Sequence, residues 1–119
     1  MKIALTTSGE TLTAPLESRF GRAPRFLLYD LATDTFELVD NSRNLNAAQG
    51  AGIQAAQNVV RAGAASLITG HCGPKAFRVL QESGIPVYLA ETGTVAEVIE
   101  QYRSGSLDLQ EQADVEGHW

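Results

Sequence analysis

Three short segments carry residue types whose spacing could do chemistry. Arg19-Phe20-Gly21-Arg22-Ala23-Pro24-Arg25 places three of the chain's nine basic residues within seven positions. Phe20 can anchor this segment while Gly21 lets the backbone turn, presenting guanidinium groups towards an anion; the plain alternative is a solvated charge run. The second segment, Asn44-Leu45-Asn46-Ala47-Ala48-Gln49-Gly50-Ala51-Gly52, leads into a helix. Small residues at a helix start expose backbone N–H groups and the positive end of the dipole, although Gly50 and Gly52 serve close helix packing equally well. The third, Gly70-His71-Cys72-Gly73-Pro74-Lys75, spans a strand-to-helix turn with Pro74 at the first helical position. Cys72 then lies at a helix N-terminus beside Lys75, a setting that favours thiolate, whereas a lone cysteine is otherwise a small buried hydrophobe. With His71 it makes a candidate soft-metal pair, and a hydrogen-bonded turn histidine is the other reading of His71.

Cys72 and Arg78 also stand in a Cys-x5-Arg spacing. It resembles the phosphate loop of cysteine-dependent phosphatases, with a nucleophilic thiolate and an arginine clamping an oxyanion. Pro74 opposes that reading because it starts the helix early, and Val79 stands where such loops carry Ser or Thr.

Five strands and three helices must position these segments. Residues 2–7, 25–31 and 36–40 read as strands, the last two joined by the polar turn at 32–35. Residues 50–62 carry Ile53, Ala56, Val59 and Val60 at helical spacing, with Gly63 as the stop. Residues 66–69 form a strand, 74–83 a helix ended by Gly84, and 87–90 a strand. In the last helix Val95, Val98, Ile99 and Tyr102 share one face, Thr94 and Glu97 form a capping-box pattern, and Gly105 ends it. The order βββαβαβα predicts a single-domain mixed five-stranded α/β sheet at residues 1–104, followed by an acidic, flexible tail at 105–119. If the crossovers are right-handed, the loops after the first, third, fourth and fifth strands share one edge, where open α/β sheets bind ligands.

Composition sets the boundaries of function. The 119 residues carry a formal charge of −5, which disfavours general binding to nucleic acid. The tail from 105 onward holds Asp108, Glu111, Asp114 and Glu116 and no Lys or Arg, so the rest is nearly neutral. One cysteine and two histidines leave no disulfide framework and few ligands for a conventional zinc site. No long apolar run suggests a membrane span or a signal peptide, and the cytoplasm is the expected compartment.

Together the segments resemble the nitrogenase iron–molybdenum cofactor biosynthesis (accessory factor) family. The resemblance rests on the N-terminal strand, Arg19 to Phe26, Tyr29-Asp30, Gly50-Ala51-Gly52, Gly73-Pro74-Lys75-Ala76-Phe77 and Gly84-Ile85-Pro86-Val87-Tyr88, covering residues 1 to about 104. It implies a ribonuclease-H-like sheet and a non-enzymatic role in holding or carrying a molybdenum-containing metal–sulfide cluster. That cluster is an iron–molybdenum cofactor precursor or, in the orange-protein branch, a molybdenum–copper sulfide. Family members often have histidine where this chain has Arg19 and Gln49, a departure that favours holding a preformed anionic cluster by charge and hydrogen bonds. The implied site is Arg19, Phe20, Gly21, Arg22, Asn46, Gln49, Gly50, Gly52, Gly73 and Lys75, with Cys72 and His71 as candidate metal ligands. A nucleotide-binding ATPase or cofactor-assembly protein is the implied partner of a monomer or weak dimer, and a metal-free regulatory module is the alternative. Nuclease activity is not implied, since residues 3–7 and 66–69 contain no carboxylate for a two-metal site.

Overall fold

The computed structural model describes residues 1–41, 51–91 and 93–110. Strand β1 (Lys2–Thr7) contains five consecutive buried residues, the pattern of a strand covered on both faces. Successive side chains alternate between the faces. Ile3 and Leu5 therefore enter one core, with Leu27, Ile68 and Val98, while Ala4 enters the other, with Phe26, Leu67 and Leu80.

The other strands are β2 (Arg25–Asp30), β3 (Thr35–Asp40), β4 (Ser66–Thr69), β5 (Val87–Leu89) and β6 (Asp108–Leu109). The sheet order is β3-β2-β1-β4-β5-β6. β1 pairs antiparallel with β2 and parallel with β4, β2 pairs antiparallel with β3, and β5 is parallel to β4. Hence β1, β3, β4 and β5 run in one direction, and the loops that follow them leave from a single edge. Helices α1 (Ala51–Ala62) and α2 (Pro74–Glu82) pack on one face, contributing Ala55, Val59, Phe77 and Leu80 to its core. Helix α3 (Val95–Arg103) covers the opposite face, and its N-terminus carries the expected capping box. Thr94 Oγ1 accepts from Glu97 N at 3.2 Å, and Glu97 Oε1 accepts from Thr94 N at 2.8 Å. No helix among the described residues is long and apolar enough to cross a membrane.

The sheet has six strands rather than five. β6 lies in the segment read as the start of the tail, pairing antiparallel with β5 through Tyr88↔Leu109 and Leu89↔Asp108. Two exposed residues create no periodicity, so the strand exists only because β5 offers an unpaired edge.

At the opposite end of the strands, the β2–β3 turn is tied to α3. Tyr29 donates from its hydroxyl to Asp34 Oδ1 at 2.7 Å, and Arg103 donates to the same oxygen. The Tyr29 hydrogen bond and then the Arg103 guanidinium hold the Asp34 carboxyl below the ordinary carboxylate range, while the same contact raises the Tyr29 phenol. A lowered carboxyl stabilises the fold above its unfolded-state pKa, and that stabilisation is lost as pH falls through the folded value. A raised phenol has the opposite sign and loses its contribution as pH climbs through its folded value. Asp34→Asn is therefore expected to flatten the acid limb of a plot of Tm against pH, between about pH 5 and 2. An identical acid limb in wild type and variant would refute the role given to this contact.

Candidate functional site

The segment from 8 to 24 is long, yet it is stitched to the sheet edge throughout. Thr6 Oγ1 donates to the Glu17 carbonyl at 2.6 Å and Thr7 Oγ1 to the Pro15 carbonyl at 3.0 Å. Arg25 Nη1 donates to the carbonyls of Ser8 and Gly9 at 2.7 and 3.2 Å. Of the three arginines in the basic segment, this one is thus committed to holding the loop. The carbonyls of Ala14 and Leu12 accept from the N–H groups of Val95 and Ala96, which satisfies the start of α3.

Beyond Ser18 the loop runs against the turn that follows β4. Arg19 and His71 form a parallel bridge, and the Phe20 N–H donates to the His71 carbonyl at 3.0 Å. This approach is close enough to demand glycine at position 70, where a Cβ would meet the Ser18 carbonyl oxygen at 2.7 Å and its Cα at 2.8 Å. Both neighbours are backbone and cannot rotate away. Gly70→Ala is therefore expected to lower Tm by pushing residues 18–20 off the turn. Calorimetry would check it, and a wild-type Tm would show that the approach is not constrained.

A short 3-10 turn, Phe20–Arg22, comes next. Phe20 is 1% exposed and stacks on Phe26 with ring centroids 5.6 Å apart. Behind it, buried Asn41 donates from Nδ2 to the Ala23 carbonyl at 2.8 Å and accepts from Asn58 Nδ2 at 2.9 Å. Thr6, Thr7, Asn41 and Asn58 thus hold the loop in place, although none belongs to the three chemistry-bearing segments. The adjacent threonines at the end of a buried strand were the available signal, since a hydroxyl buried there needs a partner.

The turn completes a cleft of about 290 Å³ bounded by Phe20-Gly21, Gly52-Ile53 and Gly73-Pro74-Lys75-Ala76. Phe20, Gly21, Gly52, Gly73 and Lys75 from the sequence-predicted site meet here. Arg19 and Arg22 are exposed in the adjoining segment. A Cβ on Gly52 would sit 3.4 Å from Ala76 Cβ, so α1 and α2 approach closely at the cleft. Gly73 differs: a Cβ there would meet nothing within 4 Å, and its φ of −68° suits any residue. Sterics do not require glycine at the N-cap of α2. No side chain caps this helix and no acid stands in its first turn, while Lys75 lies exposed within that turn. A helix start is electropositive and prefers an acid or a capping oxygen. Here it carries a cation instead, and among the described residues neither Lys75 nor Arg19 has an ion-pair partner. Such an arrangement is able to receive an anion.

Asn46, Gln49 and Gly50 lie outside the described residues. His71 is half-buried and contributes its backbone to the Phe20 contact. Cys72 is fully buried in the core that contains Phe20, Phe26 and Phe77, and its carbonyl accepts from Gln110 Nε2 at 3.4 Å. The structure thus favours the apolar alternative for this cysteine over a presented thiolate, because the chain directs its side chain beneath α2 rather than into the cleft. The phosphatase-like spacing fails on the same ground. α2 already begins at Pro74, which puts Arg78 on an exposed helical surface with the thiol buried in the core, and among the described residues no loop closes around an oxyanion. Among the described residues no group of three or more His, Cys, Asp or Glu is placed to hold a metal ion.

A family model described as dinitrogenase iron-molybdenum cofactor matches residues 1–105, nearly all of the domain. The chain belongs to this family. Within the dinitrogenase iron–molybdenum cofactor family fold, it is similar to the apo form of the orange protein from Desulfovibrio gigas. The two share 38% identity with a TM-score of 0.92, covering 95% of each chain. It is also similar to a putative NifB protein from Thermotoga, with 33% identity, a TM-score of 0.80 and 91% of each chain covered. An uncharacterised protein of Methanocaldococcus jannaschii is 30% identical over 111 residues, covering 91% of this chain and 90% of that one.

Proposed function

We propose that this domain binds and carries an anionic, molybdenum-containing metal–sulfide cluster in the cleft between the 20–21 turn, α1 and α2, and that its role is binding rather than catalysis. The observation that carries the reading is the start of α2, where an uncapped, acid-free first turn with Lys75 exposed opens onto that cleft. Lys75, Arg19 and Arg22 supply positive charge. The N–H groups at the start of α2 supply directional donors, and Phe20, Ile53 and Pro74 give an apolar wall that suits sulfide better than a strongly hydrated oxoanion. Similarity to the orange protein supports a molybdenum–copper sulfide as the preferred cargo, and the family supports an iron–molybdenum cofactor precursor as the broader class. The six-stranded order is read here as a ribonuclease-H-like sheet extended by one edge strand.

Cys72 has no place in this ligand set, since its sulfur would have to leave the core. The cluster brings its own sulfide ligands, and the protein contributes shape and electrostatics. Reconstitution with tetrathiomolybdate and copper, followed by visible spectroscopy and metal analysis after gel filtration, tests the proposal. A coloured, stoichiometric complex that persists in Cys72→Ala is expected. Failure to retain colour or molybdenum in the wild-type protein would refute it.

A further inference from the structure

Strand β3 ends the sheet on one side, and no described strand pairs with its outer edge. Its register shows which backbone groups face that edge. The Asn41 N–H donates to the Pro24 carbonyl at 2.9 Å, which makes Val39, Glu37 and Thr35 the residues bonded to β2. The N–H and C=O groups of Phe36 and Leu38 therefore point outward. Their side chains lie on the α3 face of the sheet, beside Tyr29 and Leu27, and each is 39% exposed. β3 carries none of the usual guards of an edge strand, having no Pro, Gly, Lys or bulge in its six residues. We propose that this edge docks an extended segment of a partner protein, an added strand in which basic and apolar residues alternate.

Charge selects this occupant. The charged residues of β3 are Glu37 and Asp40, with no Lys or Arg among them. Glu37 is exposed on the face away from Phe36 and Leu38, and among the described residues it has no ion-pair partner. An added strand thus meets a carboxylate on one face and apolar surface on the other. Lys or Arg at alternate positions answers the first, and apolar residues between them cover the second. A second copy of β3 fits worse, because the pairing would double the acids and supply no base. This inference does not depend on what the anion cleft binds.

The probe is a capped eight-residue peptide of alternating valine and lysine, titrated calorimetrically into the full-length protein. We expect saturable binding, roughly tenfold tighter than that of the same peptide with glutamate for lysine. The valines would lie opposite Phe36 and Leu38, so their amides supply the pairing donors. N-methylation of the valine amides is expected to abolish binding, and N-methylation of the lysine amides to leave it. Glu37→Lys should reverse the preference between the two peptides. Binding indifferent to Glu37→Lys, or to which amides are methylated, would overturn the proposal, since charge alone would then hold the peptide elsewhere. So would the absence of binding at millimolar peptide. Leu38→Cys tests the remaining occupant, because the chain's own Cys72 is buried. A disulfide-linked dimer formed at micromolar protein would assign the edge to a second copy and overturn the proposal.

Discussion

Gly73→Asp is expected to make the ligand-free domain more stable and, at the same time, to weaken binding of the proposed anionic cluster roughly a hundredfold. The φ of −68° at this position suits any residue, and an added Cβ meets open space, so the substitution introduces no strain. An aspartate at the N-cap provides the missing acceptor for the first-turn N–H groups, places a negative charge at the positive end of α2, and faces Lys75. Loss of glycine flexibility in the unfolded chain adds to the effect. Together these contribute about 1 kcal/mol, which for a domain of this size raises Tm by roughly 4 °C. The same carboxylate occupies the donors that would hold the cluster and repels its charge. A penalty of about 3 kcal/mol weakens binding roughly a hundredfold. Gly73→Ala adds bulk without charge or an acceptor, and its affinity is expected to stay within about threefold of wild type. Thermal unfolding and tetrathiomolybdate titration of both variants separate the two effects. Wild-type affinity in Gly73→Asp would show that the anion does not sit at the start of α2.

The largest effect on stability is expected from Phe20→Ala. Phe20 is the only large side chain of its loop that reaches the core beneath α1 and α2, where it is 1% exposed and stacks on Phe26. Truncating a buried phenylalanine costs about 3–5 kcal/mol through lost transfer energy and the remaining cavity. That is a large share of the about 5–15 kcal/mol that holds an ordinary domain together. A fall in Tm exceeding 10 °C follows. Loss of the anchor also frees the 3-10 turn from the Phe20–His71 backbone bond and opens one wall of the cleft. Binding is expected to fail even at temperatures where the variant is folded. Phe20→Leu keeps most of the volume and should recover more than half of both losses. Calorimetry and titration at a temperature well below either Tm provide the check. A variant with lowered Tm but unchanged affinity would show that the turn keeps its place without the ring.

The two substitutions act at opposite ends of one design. Phe20 fixes where the loop lies, whereas Gly73 leaves a helix terminus without its usual partner. A residue that satisfies no local preference in the ligand-free protein marks the place where a ligand would complete the local chemistry.

Much of the architecture was legible in the residues. The apolar runs at 2–7 and 66–69 define strands buried on both faces, and the Val95, Val98, Ile99, Tyr102 spacing with Thr94 and Glu97 defines α3 together with its cap. These features are local, because hydrophobic period and capping act over one or two turns of chain. β6 was not legible, since its pairing depends on β5, some twenty residues earlier in the chain.

For the site, residue types pointed to a basic loop and two glycine-rich helix starts at one edge, of which Phe20-Gly21, Gly52 and Gly73-Lys75 line a common cleft. They could not say which way Cys72 faces, because a residue between a strand and a helix can turn either way. Packing beneath α2 directs it into the core. Nor could they separate the arginines by role: Arg25 is spent on the carbonyls of Ser8 and Gly9, while Arg19 and Lys75 remain exposed. The sequence by itself determined five of the six strands, the three helices and the sign of the charge clustered in the 19–25 loop, since these follow from nearest-neighbour chemistry. Which side chains reach the cleft, and which are consumed in building it, was decided only by tertiary structure. Burial and hydrogen bonding between segments fifty residues apart leave no mark on either segment alone.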